Sequence, residues 1–491
     1  MTQKKSLKRL RWLSLICITM FSVLILRRVP AIAQIPKHYT ELEFPPLPEI
    51  TIPDYERYEL DNGMVVYLME DHKLPLINGT AIIRTGSRLE PSDKVGLAEI
   101  TGILMRTGGT KDHPPEELNE LLEKRAAHVE TSISTASGKA SFNALTEDIE
   151  TVFNLFKEVI REPAFTPEQL ALVKTQYKGA IARRNDNPKD IASREFRKLV
   201  YGETSPYART EEYSTIDNIS RDDIITFYQN YVRPDGMILG IVGDFEPKAM
   251  KTLINETFGD WKPLTPKPNI AIPSTRQKYT RGLFLVDQPQ LTQSSVLVGH
   301  LGGQFDSPDY PALSVLNGVV NGFGGRLFNE LRSRQGLAYS VYGYWSAAYD
   351  HSGMFYGGGQ TRSETTVPFL GSFMQEIERI RTTPITEEEL SKAKESILNS
   401  FVFKFENPSQ VLSRLMTYEY YGYHKDFIFS YQQGVKATTI KDVQRVAQKY
   451  LIPEKMIILV VGNREVIEPP LSRLEKTITT IDITIPESNK S

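Results

Sequence analysis

Tyr231-Val232-Arg233-Pro234, then Met237-Ile238-Leu239-Gly240-Ile241-Val242-Gly243, returns later in the chain as Tyr450-Leu451-Ile452-Pro453, then Met456-Ile457-Ile458-Leu459-Val460-Val461-Gly462. The surroundings repeat in the same order. Ile219-Ser220-Arg221-Asp222-Asp223 matches Thr439-Ile440-Lys441-Asp442, and Phe165-Thr166-Pro167-Glu168-Gln169-Leu170 matches Ile385-Thr386-Glu387-Glu388-Glu389-Leu390. Asp186-Asn187-Pro188 matches Glu406-Asn407-Pro408, and Gly108-Gly109 matches Gly324-Gly325. An offset of about 220 residues is far too long for a solenoid unit, so the chain holds two copies of one domain.

Each copy has the same coarse pattern. β-Branched strands come first (Val65-Val66-Tyr67-Leu68; Gly282-Leu283-Phe284-Leu285-Val286). A helix, a second strand pair and two long amphipathic helices follow, and a last helix runs into a Pro and a closing apolar strand. Strands and helices mixed without strict alternation predict an α+β class, each domain a mostly antiparallel sheet packed with helices. The expected boundaries are 54–260 for the first domain, 261–275 for a Pro-rich, semi-rigid linker, and 276–468 for the second domain. A Pro- and Glu-rich lead-in over 34–53 and a tail over 469–491 flank them.

Composition is that of a globular protein. Fifty-eight Lys and Arg stand against sixty Asp and Glu, and the net charge is −2. Lys4, Lys5, Lys8, Arg9, Arg11, Arg27 and Arg28 lie in an opening segment without acids; setting those seven aside moves the remainder from −2 to −9. An acidic body disfavours nucleic acid as a partner. Residues 1–33 read as a secretion signal: a basic lead, an apolar run from Trp12 to Leu26, and Ala31-Ile32-Ala33 ahead of Gln34. The expected destination is therefore periplasmic or extracellular. The alternative is an uncleaved anchor, through which alone the protein would touch a membrane. Cys17, the single cysteine, lies inside that run, so thiol catalysis and CxxC sites are excluded from the body. No Gly-x-Ser-x-Gly elbow is present.

Several stretches together resemble the pitrilysin/insulinase family of zinc peptidases. They are Leu60-Asp61-Asn62-Gly63-Met64-Val65-Val66, Arg84-Thr85-Gly86-Ser87-Arg88-Leu89-Glu90-Pro91, Arg326-Leu327-Phe328-Asn329-Glu330-Leu331-Arg332 and Gly336-Leu337-Ala338-Tyr339-Ser340-Val341. In that family a helix carries His-x-x-Glu-His, two zinc ligands one turn apart with a Glu that polarises the metal-bound water. At the matching place stands Gly96-Leu97-Ala98-Glu99-Ile100-Thr101-Gly102-Ile103. The resemblance puts Glu99, Gly102 and Ile103 at the motif positions and Ala180 at the later carboxylate ligand, with Val173 where a supporting acid would be. Of these only Glu99 carries a donor atom. The seven histidines (His38, His72, His113, His128, His300, His351, His424) form no close pair along the chain. No cofactor is therefore expected in this chain, the zinc belonging to a partner.

The resemblance also assigns roles in the second half. Arg332 and Tyr339 match residues that face the zinc across the family's chamber. The expected local structure is a helix over Arg326–Arg334, ended by Gly336, with Tyr339 opening a strand. Glu130 and Thr131 fall on an edge strand that would pair with extended peptide. Gly324 and Gly325 fall in a glycine-rich turn that borders the chamber in relatives. Read on spacing alone, Arg332 is a solvated helix residue and Tyr339 a packing aromatic.

Two-domain members of the family work as dimers, and in heterodimers one subunit lacks zinc. The resemblance thus implies a non-catalytic subunit of an exported peptidase, closing the chamber and lending Arg332 and Tyr339 to a homologous zinc-bearing partner. The alternatives are a stand-alone peptide-binding or scaffolding protein, and a weak hydrolase with a rearranged site built on Glu99.

Overall fold

The structure, a computed structural model, describes residues 51–322 and 324–487. The secretion signal and most of the lead-in lie outside them. The first half runs β1 (Glu56–Glu59), β2 (Val65–Glu70), β3 (Leu76–Ile83), α1 (Leu97–Thr107), α2 (Pro115–Glu123), β4 (His128–Ile133), β5 (Gly138–Leu145), α3 (Ile149–Arg161), α4 (Pro167–Arg183), α5 (Pro188–Tyr201), α6 (Tyr213–Asp217), α7 (Arg221–Tyr231), β6 (Met237–Gly243) and α8 (Pro247–Phe258). The second half runs β7 (Gly282–Asp287), β8 (Gln293–Leu301), α9 (Tyr310–Val320), a π-helical turn (Phe328–Arg334), β9 (Ala338–Ser346), β10 (Met354–Arg362), α10 (Thr366–Thr382), α11 (Glu387–Phe401), α12 (Pro408–Tyr421), α13 (Phe427–Ala437), α14 (Ile440–Tyr450), β11 (Ile457–Gly462) and β12 (Ile478–Thr480).

Each half builds a six-stranded sheet, ordered β1-β2-β6-β3-β5-β4 and β12-β7-β11-β8-β10-β9. The repeated closing strands β6 and β11 are inner strands, each parallel to one neighbour (β2, β7) and antiparallel to the other (β3, β8). Every residue of β6 is buried. That burial explains its unbroken apolar run, because both faces of the strand are covered. The α+β class and the duplication expected above are both present.

One face of each sheet packs on its own helices. The other is covered by a helix from the opposite half. Asn187 and Asn407 accept N–H bonds from Lys189 and Ser409 (2.9 and 2.8 Å) and so cap α5 and α12, each of which starts on Pro. The repeated Asn-Pro is a helix start signal with a direct physical basis, a side-chain acceptor for a free amide and a residue that needs no donor there. From it α5 crosses to the second sheet, where Ile191, Phe196 and Val200 meet Phe284, Leu297 and Val461. Reciprocally, α12 brings Val411, Leu415 and Met416 onto Tyr67, Ile238 and Val242 of the first sheet. At about 1.5–3 kcal/mol for each large apolar side chain fully buried, this exchange is a main source of cohesion between the halves.

A polar lock reinforces it. Arg88 Nη1 meets Asp350 at 2.5 Å, with only 4% and 9% of the two side chains exposed. His351 Nδ1 lies 2.9 Å from the same carboxylate, and its ring stacks on Tyr207 at 4.1 Å. Tyr420 Oη donates to the Ala136 carbonyl (2.6 Å).

Two flanking segments are more integrated than their composition suggests. The Pro-rich linker is tied down: Trp261 is buried, Arg233 donates to the carbonyls of Thr265 and Pro266, and Tyr207 Oη donates to that of Pro273. The stretch from 469, expected as a tail, supplies β12, which pairs in parallel with β7. Beyond it the Ile483 carbonyl accepts from Asn185 of the first half (2.7 Å). Periodicity missed this strand because three residues are too few to show alternation. Among the described residues, no helix is long and apolar enough to cross a membrane.

Candidate functional site

The helix α1 begins at Gly96, whose φ of 103° lies in the left-handed region that favours glycine. Its first amides are capped from outside. Glu90, 5% exposed, accepts from Gly96 N–H (3.2 Å) and Ala98 N–H (2.8 Å). Burial outweighs those bonds and the nearby Arg209, and pushes the Glu90 carboxyl up to about 7. Glu99 points towards α4, where Tyr177 Oη donates to its Oε2 (3.1 Å). Burial and the negative charge of Glu211 hold the Glu99 carboxyl above its ordinary range, while the Tyr177 bond pulls the other way. Burial likewise raises the Tyr177 hydroxyl. Tyr177 was not among the expected site residues. It lies four positions after Val173 and three before Ala180, on the stretch of α4 where the resemblance implies acids.

The other motif positions hold no donors. Gly102 lies against β4, and a Cβ there would come 2.5 Å from the Ile133 amide nitrogen. Ile103 packs on the first core, Val173 is part of that core, and Ala180 is exposed. A zinc site needs three or four protein ligands. Glu99 with a glycine, an isoleucine and an alanine does not fit that ion. Among the described residues, no three His, Cys, Asp or Glu gather as a metal would require.

β4 is an edge strand, as expected from Glu130 and Thr131. Glu130 is exposed, and Thr131 is half-buried with its hydroxyl donating to the Gly102 carbonyl (2.6 Å). Arg106 Nε donates to the Val129 carbonyl (2.8 Å). Part of the strand's outer margin is thus already engaged by α1.

The second half presents a different corner. Phe328–Arg334 winds as a π-helix, with Gln335 N–H donating to the Glu330 carbonyl five residues back (3.1 Å). Gly336 turns the chain at φ 62°. The expected helix, glycine stop and strand start are all there, with π in place of α winding over most of the helix. Along β9 and β10, Ala338 opposes Thr361 and Ser340 opposes Gln360, which leaves Tyr339 as an extra, bulged residue. The bulge turns Tyr339 out of the sheet, and it is 81% exposed. The Arg332 guanidinium is clamped between two rings, 4.8 Å from Phe328 and 4.9 Å from Tyr339. The structure therefore brings Arg332 and Tyr339 together.

Gly324 and Gly325 sit one turn before that helix. Gly324 has φ 101°, and a Cβ on Gly325 would lie 2.1 Å from the Asn321 carbonyl oxygen, so both glycines are needed for the turn itself. Further along β9, α9 closes the edge with amide side chains. Asn321 exchanges two hydrogen bonds with the Gly343 backbone (2.6 and 2.9 Å), and Asn317 does the same with Trp345 (3.0 and 2.8 Å). Each side-chain amide stands in for the peptide group of a missing neighbour strand.

A cavity of about 530 Å³ lies between α5 and the inner face of β8, β9 and β10. Phe196, Tyr342, Met354 and Tyr356 line it together with Lys189 and Arg197.

Two duplicated α+β domains with exchanged helices, and a motif helix beside an edge strand, define the two-domain metallopeptidase class of fold. Residues 68–207 match the model of the Insulinase (Peptidase family M16) group, and 218–397 match that of the Peptidase M16 inactive domain. The chain belongs to this insulinase family of peptidases. A Bacillus subtilis protein named uncharacterized zinc protease YmxG is 24% identical over 73% of this chain and 86% of its own length. A Helicobacter pylori protein named non-peptidase homolog YmxG is 23% identical over 81% of this chain and 91% of its own length. Among solved structures, the peptidase M16 inactive domain from Pseudomonas fluorescens superposes with a TM-score of 0.75, at 24% identity, over 84% of this chain and 98% of that one.

Proposed function

We propose that this chain is the metal-free subunit of an exported peptidase assembly. It closes the chamber, holds unfolded peptide, and lends Arg332 and Tyr339 to the zinc centre of a homologous partner subunit. The observation that carries this reading is a division within one molecule. All the metal positions but Glu99 lack donors, while a half-buried arginine clamped between two rings and an exposed tyrosine stand preorganised on the other half. The chemistry matches what a zinc peptidase needs from across its chamber. A tyrosine hydroxyl can donate to the oxyanion that develops on the scissile carbonyl, and a guanidinium can hold a neighbouring peptide carbonyl in line. Clamping Arg332 between two rings lowers the cost of ordering it when substrate arrives. The name of the Helicobacter relative, a non-peptidase homolog, agrees with the loss of activity of the chain alone.

The test is reconstitution. The purified chain should be inert on casein and on unfolded peptides. Mixed with a zinc-bearing family member from the same cell, it should form a complex on gel filtration and raise peptidase activity at least tenfold. A chain that cuts peptides alone after zinc loading, or that leaves every such candidate unchanged, would overturn the reading.

The 530 Å³ cavity favours a second reading, a stand-alone peptide-binding protein, for which no partner is required. The rearranged hydrolase gains no such support, because Glu99 is engaged by Tyr177 and has no second donor beside it on the motif positions.

A further inference from the structure

The cavity beside α5 has a definite chemical character. Its floor is a set of cross-strand rows. Ser295, Gln360 and Ser340 face one another across β8, β10 and β9 and form a polar band. Beyond it come Leu297 and Tyr342, then Tyr356. Tyr342 and Tyr356 meet edge to face at 6.2 Å. Phe196 of α5 backs the other side as a buried core residue, 2% exposed, and the accessible aromatic wall is Tyr342 and Tyr356.

Two further observations point to an occupant. The Ser295 hydroxyl is buried, the residue being 4% exposed, and among the described residues it has no hydrogen-bond partner. It projects on the same face as Leu297, which touches α5, and it lines the cavity. A hydroxyl left unsatisfied in an otherwise close-packed strand costs about 1–3 kcal/mol, a cost that a ligand acceptor or donor would remove. The second observation is charge. Lys189 and Arg197, two turns apart on the exposed side of α5, stand at the cavity with Ser193 between them. Among the described residues no Asp or Glu lines it. In a chain where acids outnumber bases, that wall is selectively positive.

We propose that this cavity binds a peptide segment in which an aromatic side chain stands beside a carboxylate. The ring lies against Tyr342 and Tyr356, a polar group of the segment satisfies Ser295, and the carboxylate lies at Lys189 and Arg197. The volume falls in the range of about 300–1,000 Å³ typical of ligand sites, room for one or two large side chains rather than an extended strand. Ring stacking and burial supply affinity, and the two cations select acidic neighbours. This deepens the peptide-holding part of the function proposed above and rests on it. It does not depend on the partner subunit or on Arg332 and Tyr339.

The experiment uses the whole chain without a partner. Fluorescein-labelled Gly-Gly-Glu-Phe-Asp-Gly is titrated with protein and followed by anisotropy. Saturable binding is expected, weakened at least tenfold when the peptide's Phe becomes Ala and at least tenfold when its acids become Lys. Ser193→Trp, which blocks the exposed mouth, and Lys189→Glu, which reverses its charge, should each weaken binding at least tenfold, with circular dichroism and the unfolding midpoint unchanged. Should the tryptophan disturb folding, Lys189→Glu alone carries the test. Equal affinity for the three peptides, no binding, or binding indifferent to Lys189→Glu overturns the proposal. If free N-acetylphenylalanine binds as tightly as the peptide, the site takes a small aromatic acid and the peptide assignment fails. Each of these failures leaves the reconstitution test with a zinc-bearing partner unaffected.

Discussion

The two edge-strand corners of this molecule descend from one repeated domain and have diverged in opposite directions. In the first half, α1 has settled against β4. Gly102 abuts the Ile133 amide, Thr131 donates to the Gly102 carbonyl, and Arg106 donates to Val129. In the second half the edge is filled by Asn317 and Asn321 along Gly343 and Trp345, yet at the strand's start Tyr339 bulges out beside Arg332. One corner has lost every donor position but Glu99. The other displays two polar side chains at little cost to its packing. The first corner therefore lacks room as well as ligands, since even a Cβ on Gly102 would meet the Ile133 amide nitrogen at 2.5 Å.

The sharpest way to break this comparison is Gly102→Glu, which puts a carboxylate at the position that the resemblance gives to a general base. Because α1 packs this closely on β4, the new side chain must displace the Ile133 backbone and bring a carboxylate into a buried seam. A loss of about 4 kcal/mol is expected, combining overpacking with an unpaired charge, measured by denaturant unfolding. An unchanged midpoint would show the seam still open.

Glu90 tests whether the same corner is dry. Its carboxyl is raised from 4.5 to about 7, so between those values the folded state keeps a proton that the unfolded chain gives up. Its contribution is therefore fully present below about 4.5 and is lost as pH rises through 7. The wild type should lose up to about 3 kcal/mol over that window relative to Glu90→Gln, since a tenfold difference in proton affinity between the two states is worth roughly 1.4 kcal/mol. Parallel stability curves for the two proteins would mean that water reaches the start of α1.

The second corner should respond in activity more than in stability. In the reconstituted complex, Arg332→Ala or Tyr339→Phe should lower kcat about 10²-fold, as for a lost oxyanion donor. Unfolding of the chain itself should move by no more than about 0.5 kcal/mol for Tyr339→Phe, whose ring stays in place, and by about 1 kcal/mol for Arg332→Ala, which gives up its contacts with two rings. A reversed pattern would make the pair a structural feature and remove the contrast between corners.

Much of the fold was legible in the residues. The repeated Asn-Pro starts, the Ser220 and Thr439 capping boxes and the apolar closing strands are local signals, and local chemistry decided them. The crossing of α5 and α12 was not legible, because an amphipathic helix records that one face is buried and not which sheet buries it. The candidate site divided in the same way. Gly336, as a helix stop, placed Tyr339 at the opening of a strand, but the bulge that exposes it depends on register with β10. Tyr177 carries no metal-binding chemistry in its residue type, although its spacing along α4 puts it within reach of Glu99.

The exchanged helices have a consequence for how such a chain can be divided. Each lobe wears a piece of the other as its lining, the arrangement that remains when a swapped pair of identical molecules becomes joined end to end. Cutting the polypeptide within the 261–275 connector should then yield two fragments that are each insoluble when made singly, with a bare apolar sheet, and that dissolve and reassociate when produced in the same cell.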